Sequence, residues 1–134
     1  MKNAQLLLTR GDFELLENHL KLSTNLSEFN RKKLSIELKL ARVLKTDDLP
    51  LDVVSENSKV IIEDIESGRN FEFVLVSPRE ADISSNKLSV LAPIGVALLG
   101  YRPGVEVDWE MPNGLKTFRI VSVERMITNV LHQI

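Results

Sequence analysis

Two hydrophobic periods divide this chain. In the first third, Phe13, Leu16 and Leu20 recur at i, i+3 and i+7, one face of a helix that Thr9 and Asp12 are placed to cap. Ser23-Thr24-Asn25 interrupts the pattern, and Ser27 stands where a second helix would begin. That second segment carries two apolar stripes, Phe29, Ile36, Leu40 and Val43 on one line and Leu34, Leu38 and Ala41 beside it. A single stripe suffices to pair two helices, so the other is free to pack on whatever follows. The pattern predicts an antiparallel helical hairpin over residues 1–48, with a second helix of about seventeen residues spanning roughly 25 Å. Lys45 to Pro50 ends it, because the residue before a proline disfavours the helical conformation, and the module boundary falls between residues 48 and 49.

From residue 49 to 134 the period becomes strand-like. Phe71, Phe73 and Leu75 fall on one side of the segment 70–76, and Val105, Val107 and Trp109 alternate with Glu106, Asp108 and Glu110. Pro112-Asn113-Gly114 marks a tight turn into a returning strand over 117–123, and 59–62 and 87–90 complete the set of strands. Between them, the run from Pro93 to Gly100 reads as a short helix, with proline in its first turn and glycine at its end. The fold class expected is α+β: a short helical hairpin followed by an antiparallel sheet carrying one short helix.

Charge changes this picture only in detail. The net charge is −2, but residues 1–48 carry nine basic and seven acidic side chains against eight and twelve in residues 49–134. Neither half has the strongly basic footprint of a protein that holds free nucleic acid by neutralising phosphates, so a protein partner is the first expectation. There is no cysteine, which removes disulfides and thiolate metal sites. The apolar run Leu6-Leu7-Leu8 is too short for a signal sequence or a membrane span, so a cytoplasmic chain without membrane association is expected.

Candidate chemistry is sparse. His19 and His132 are the only histidines, one inside the first helix and one near the C-terminus, and both read as ordinary surface or edge residues. Asp47-Asp48 beside a proline reads as a solvated linker, and Glu63, Asp64 and Glu66 flank a turn before Gly68. The densest basic run, Arg31-Lys32-Lys33, opens the second helix near the tip of the hairpin. It fits a solvated face as well as a contact with phosphate or an acidic surface. No metal, no cofactor and no enzymatic activity are expected.

Several ordered segments resemble the C-terminal domain of the GreA/GreB transcript-cleavage factors. They are Asp52 to Val60, Leu75-Val76-Ser77-Pro78-Arg79-Glu80, Leu88 to Gly100, and the closing hairpin from Gly104 to Gly114. Ser35 to Val43 and Leu49 to Ser55 further resemble the subgroup of that family known as regulators of nucleoside diphosphate kinase, or Rnk. The resemblance implies an FKBP-like C-terminal domain that docks on the β′ coiled coil at the rim of the secondary channel of RNA polymerase. It carries the docking residues over to Ser89, Leu91, Ala92, Pro93 and Ile94, where Leu91 replaces a residue usually polar or acidic and Ala92 replaces a serine. In Gre factors a long coiled coil delivers two carboxylates to the catalytic magnesium, whereas here the turn Ser23 to Ser27 holds no carboxylate and only Glu28 adjoins it.

The function implied is a monomeric, non-catalytic transcription regulator. It would bind RNA polymerase, lie near the nucleic acid of that complex and compete with Gre-type factors without stimulating cleavage. Three alternatives remain beside it. One is control of the level or activity of nucleoside diphosphate kinase, and a second is direct DNA or RNA binding. The third, an FKBP-type prolyl isomerase, needs an aromatic-lined pocket, and Phe71, Phe73, Trp109 and Phe118 are accounted for by core packing.

Overall fold

The computed structural model of the chain describes residues 4–126. Its first element is a short strand, β1 (Leu7–Thr9), which no alternation in the three-leucine run announces. Leu6 and Leu8 are both buried in the main core, so the three-leucine run is an inner strand rather than a leader to the helix. Helix α1 (Arg10–Leu22) follows directly, with the Asp12 amide donating to the Thr9 hydroxyl as the capping pair requires. Helix α2 (Glu28–Leu40) starts the same way, the Asn30 amide donating to Ser27 Oγ. Each helix has 13 residues, about 20 Å in length, shorter than the seventeen expected for the second.

The reason lies in the next element. The chain leaves the helix at Ala41 and runs as β2 (Arg42–Leu44), pairing in parallel with β1, and the Arg42 amide donates to the Leu6 carbonyl. A backbone partner across 35 residues thus captures positions that helical periodicity had claimed, and β-branched Val43 suits the strand. Which stripe of α2 packs inward is also decided. Leu34 and Leu38, with Asn30, are buried, whereas Phe29, Ile36, Leu40 and Val43 are all solvent-exposed.

The remainder is a five-stranded sheet in the order β5-β4-β3-β7-β6, made of β3 (Ser58–Asp64), β4 (Asn70–Val76), β5 (Lys87–Ser89), β6 (Glu106–Met111) and β7 (Gly114–Arg125). Four strands pair antiparallel, and β5 joins the edge in parallel with β4. Two single-turn 3-10 helices, Pro78–Glu80 and Ile83–Ser85, carry the chain round to that edge. Burial alternates cleanly along β3 and β6, with Val107 and Trp109 inside. On β4, Phe73 and Leu75 are buried, but Phe71 is exposed beneath the Arg69 guanidinium, so core packing does not account for that ring. On β7 the register shifts between Ile61 and Ile62, which leaves Val121 as the bulged, exposed residue.

Helix α3 (Pro93–Leu98) lies against the sheet as the proline and glycine punctuation predicts. Its exit depends on Gly100, whose φ of +91° is open to glycine, and whose missing Cβ leaves room for Leu6 and Leu8 of the first strand. One hydrophobic cluster runs through both parts of the chain, from Leu6, Leu8, Leu16, Leu34 and Leu38 to Val60, Leu75, Leu98, Trp109 and Ile120. Among the described residues no helix is long and apolar enough to cross a membrane.

Polar groups fix the helices on the rest of the domain at three points. The Asn30 amide is buried and reads the free edge of β6 as another strand would, donating to the Glu110 carbonyl and accepting from the Glu110 amide, both at 2.8 Å. Such an anchor contributes on the order of 1–3 kcal/mol, because its loss strands buried groups. The Glu37 carboxylate accepts from the Lys33 ammonium and from the hydroxyl of buried Tyr101, whose ring also lies under that ammonium. Asp12 is the third, buried where α1 meets the loop before β3.

Asp12 makes a prediction about pH. Burial, reinforced by the Glu56 carboxylate, pushes its carboxyl up to about 6, against the pull of the Glu56 amide, the Arg125 guanidinium and the Thr9 hydroxyl. A carboxyl raised in the folded state leaves stability intact below the unfolded value near 3.8 and lowers it as pH rises towards 6. At one pKa unit per ~1.4 kcal/mol the full penalty is on the order of 3 kcal/mol. Asp12→Asn should therefore gain on the parent progressively between pH 4 and pH 6.5 in urea unfolding. A stability difference that stays constant over that window would exclude this assignment.

Candidate docking surface

The surface is built by a turn that the backbone makes twice over. At the end of β5 the Leu91 amide donates to Ser89 Oγ at 3.0 Å, and the Ala92 amide donates to the Ser89 carbonyl at 2.9 Å. Val90 is pulled fully inside, its amide donating to the Val76 carbonyl. Alternation about that plug sends Leu91 outward, with 37% of its surface exposed. Pro93 then starts α3, its missing amide being one the first helical turn leaves unpaired in any case. Gly95 packs flat against the turn, and a Cβ there would meet the Ser89 and Val90 carbonyl oxygens at 2.7 Å.

The five residues expected to dock therefore have different stations. Leu91 and Pro93 are exposed, Ser89 and Ala92 are half-buried, and Ile94 is buried at 9% exposure, with its side chain in the core. Ile94 shapes the turn from beneath, while Leu91 and Pro93 present the apolar surface.

The structure adds a neighbour that sequence reasoning missed. Leu91 stands over the connection between α1 and α2, and it shares with His19, Ser23 and Asn25 the walls of two adjoining clefts of about 740 and 690 Å³. The second cleft is also lined by Leu26, Pro93, Val96, Trp109 and Met111. The Asn30 anchor on β6 is what holds the hairpin turn there. Nothing in the spacing of Asn30 and Glu110, eighty residues apart, marks them as partners; a lone asparagine on the Leu34–Leu38 face of α2 was the available signal. Desolvation, with the Arg31 guanidinium nearby, holds His19 below the ordinary histidine value.

The basic run does not assemble into one patch. Arg31 turns back on α1 and donates to the Leu20 carbonyl at 2.5 Å and the Ser23 carbonyl at 2.8 Å, closing the end of that helix. Lys33 is committed to Glu37 and Tyr101, and Lys32 alone projects into solvent. Arginine thus caps a helix end where the run of charge suggested a tip. His132 lies outside the described residues. Asp47 and Asp48 are exposed in a single 3-10 turn, and among the described residues no three histidine or carboxylate side chains come together as a metal site would need.

Residues 49–125, which include the whole 89–94 turn, match the family described as "Transcription elongation factor, GreA/GreB, C-term". The chain belongs to the GreA/GreB family. It is 39% identical over 84 residues to the "Regulator of nucleoside diphosphate kinase" of Escherichia coli strain K12, a match covering 63% of this chain and 62% of that one. To the "Transcription elongation factor GreA" of Clostridium acetobutylicum it is 37% identical over 87 residues, covering 65% of this chain and 55% of that one. The chain thus spans less than two thirds of the length of either relative. Among solved structures, the "Prokaryotic transcription elongation factor GreA/GreB from Nitrosomonas europaea" superposes with a TM-score of 0.65 at 35% identity, covering 91% of this chain and 99% of the other. The GreA/GreB match thus contains the turn, α3 and the sheet, and the hairpin that shares the Leu91 cleft lies before it.

Proposed function

We propose that this chain is a non-catalytic transcription regulator that docks on the coiled-coil rim of the secondary channel of RNA polymerase and competes there with Gre-type factors. One observation carries the reading: a GreA/GreB-type domain is joined to a hairpin whose helices reach about 20 Å and whose turn from Ser23 to Ser27 contains no carboxylate. Transcript cleavage by a delivered magnesium site needs acidic oxygens at the far end of a long reach. Here the second carboxylate of any such tip pair is missing, because Glu28 is followed by Phe29 and Asn30, and Asn30 is buried against β6. The hairpin instead folds beside Leu91, bringing His19, Ser23, Asn25 and Leu26 next to the turn. Occupying the rim without delivering a metal site would exclude cleavage factors by mass action.

The direct test uses backtracked elongation complexes. Added protein should leave the release of 3′ RNA fragments at the intrinsic rate of the polymerase, and should slow the release that GreA stimulates. Stimulated release by this chain alone overturns the non-catalytic reading.

A further inference from the structure

Among the described residues, the outer face of α2 has no partner. Phe29, Ile36 and Leu40 lie on one line of the helix, at 37%, 50% and 64% exposure, and Val43 continues it onto β2. Residues seven and eleven apart fall within a narrow arc of an α-helix, so this is a continuous apolar stripe rather than scattered side chains. Along one flank run Lys32 and Lys39, exposed and without an ion pair among the described residues, with Arg42 exposed beyond the helix end. Glu28 stands at the N-terminal end of that flank, and the opposite flank is occupied by the mutually paired Lys33 and Glu37. The buried stripe of Asn30, Leu34 and Leu38 anchors the helix, and the outer stripe is left facing solvent among the described residues.

We propose that this face is a docking surface for an acidic amphipathic helix of a partner protein, its apolar side on Phe29, Ile36 and Leu40 and its carboxylates on Lys32 and Lys39. Helix-on-helix recognition uses anchors at this spacing. Charge decides between occupants. A second copy pairing antiparallel about the middle of the stripe would bring Glu28 near Lys39 and Arg42 of its twin, but this flank carries more cations than anions and would face itself, which disfavours that pairing. A helix with glutamates beside its apolar face meets the lysines with opposite sign. This surface is separate from the Leu91 turn and does not depend on the polymerase reading.

The test is a titration of the full isotope-labelled chain with a synthetic amphipathic helical peptide bearing leucines on one face and glutamates on its flanks. A twin peptide with lysines replacing the glutamates is the control. The acidic peptide should shift the amides of Phe29, Lys32, Ile36, Lys39 and Leu40 saturably, and the lysine peptide should bind at least about tenfold more weakly. Ile36→Asp should abolish the shifts with the helical signal unchanged. The double substitution Lys32→Glu and Lys39→Glu, which touches no buried group, should reverse the preference between the peptides. Equal binding of both peptides, or shifts centred elsewhere, overturns the proposal. So does a concentration-dependent dimer that Ile36→Asp dissolves, since the occupant would then be a second copy.

Discussion

Gly95→Ala should destabilise the protein by about 3 kcal/mol or more, the upper range for forcing an atom into a packed interior. The added carbon would stand 2.7 Å from two backbone oxygens, those of Ser89 and Val90. Neither can swing aside like a side chain. The Ser89 carbonyl accepts from the Ala92 amide, and Val90 is held on both sides, by burial and by its bond to Val76. Relief has to come from α3 lifting off the sheet, which would expose Val96 and Leu98 and reopen the turn that presents Leu91. Urea unfolding gives the number. A variant as stable as the parent would show that the helix and the turn are not in the close contact described.

Leu91→Asp, by contrast, should leave stability within about 0.5 kcal/mol of the parent, as surface substitutions usually do. Leu91 is 37% exposed, and its place in the turn is set by its backbone amide on Ser89 Oγ, which the substitution keeps. Its side chain, however, stands between the two clefts beside the hairpin turn, and an apolar anchor so placed is the kind of residue on which interface energy concentrates. Affinity for core RNA polymerase should fall by about 1.4–2.8 kcal/mol, on the order of ten- to a hundredfold. Fluorescence anisotropy with labelled protein measures it, alongside thermal unfolding. Unaltered affinity in a folded variant would place the docking surface elsewhere, and loss of the fold would make Leu91 a core residue.

How far the sequence could be read follows from the range of the interactions involved. Local signals were legible: Thr9 and Ser27 as helix caps, the alternation through Trp109, the turn at Pro112-Asn113, and the proline that opens α3 each act within a few residues. Long-range pairings were not. Helix α2 loses its last turn to a strand partner 35 residues away, and β5 joins in parallel because two single-turn helices bring it alongside β4. At the candidate site, the segment 89–94 could be picked out by resemblance. The division between exposed Leu91 and Pro93 and buried Ile94 needed the turn geometry, and so did the arrival of His19 and Asn25 beside them. The basic run misled because charge in sequence says nothing of which carbonyl lies within reach. Arg31 finds two at the end of α1, and Lys33 finds Glu37 and Tyr101. Both apolar stripes of α2 were visible, and only the buried Asn30 anchor shows which one turns inward.

Competition for core RNA polymerase tests the central claim most directly. Labelled GreA bound to the core enzyme should be displaced by this chain along a curve that saturates at full displacement, with Leu91→Asp shifting the midpoint to on the order of ten- to a hundredfold higher concentration. Failure to displace GreA at any concentration, or binding of both proteins to one polymerase at once, would contradict the account.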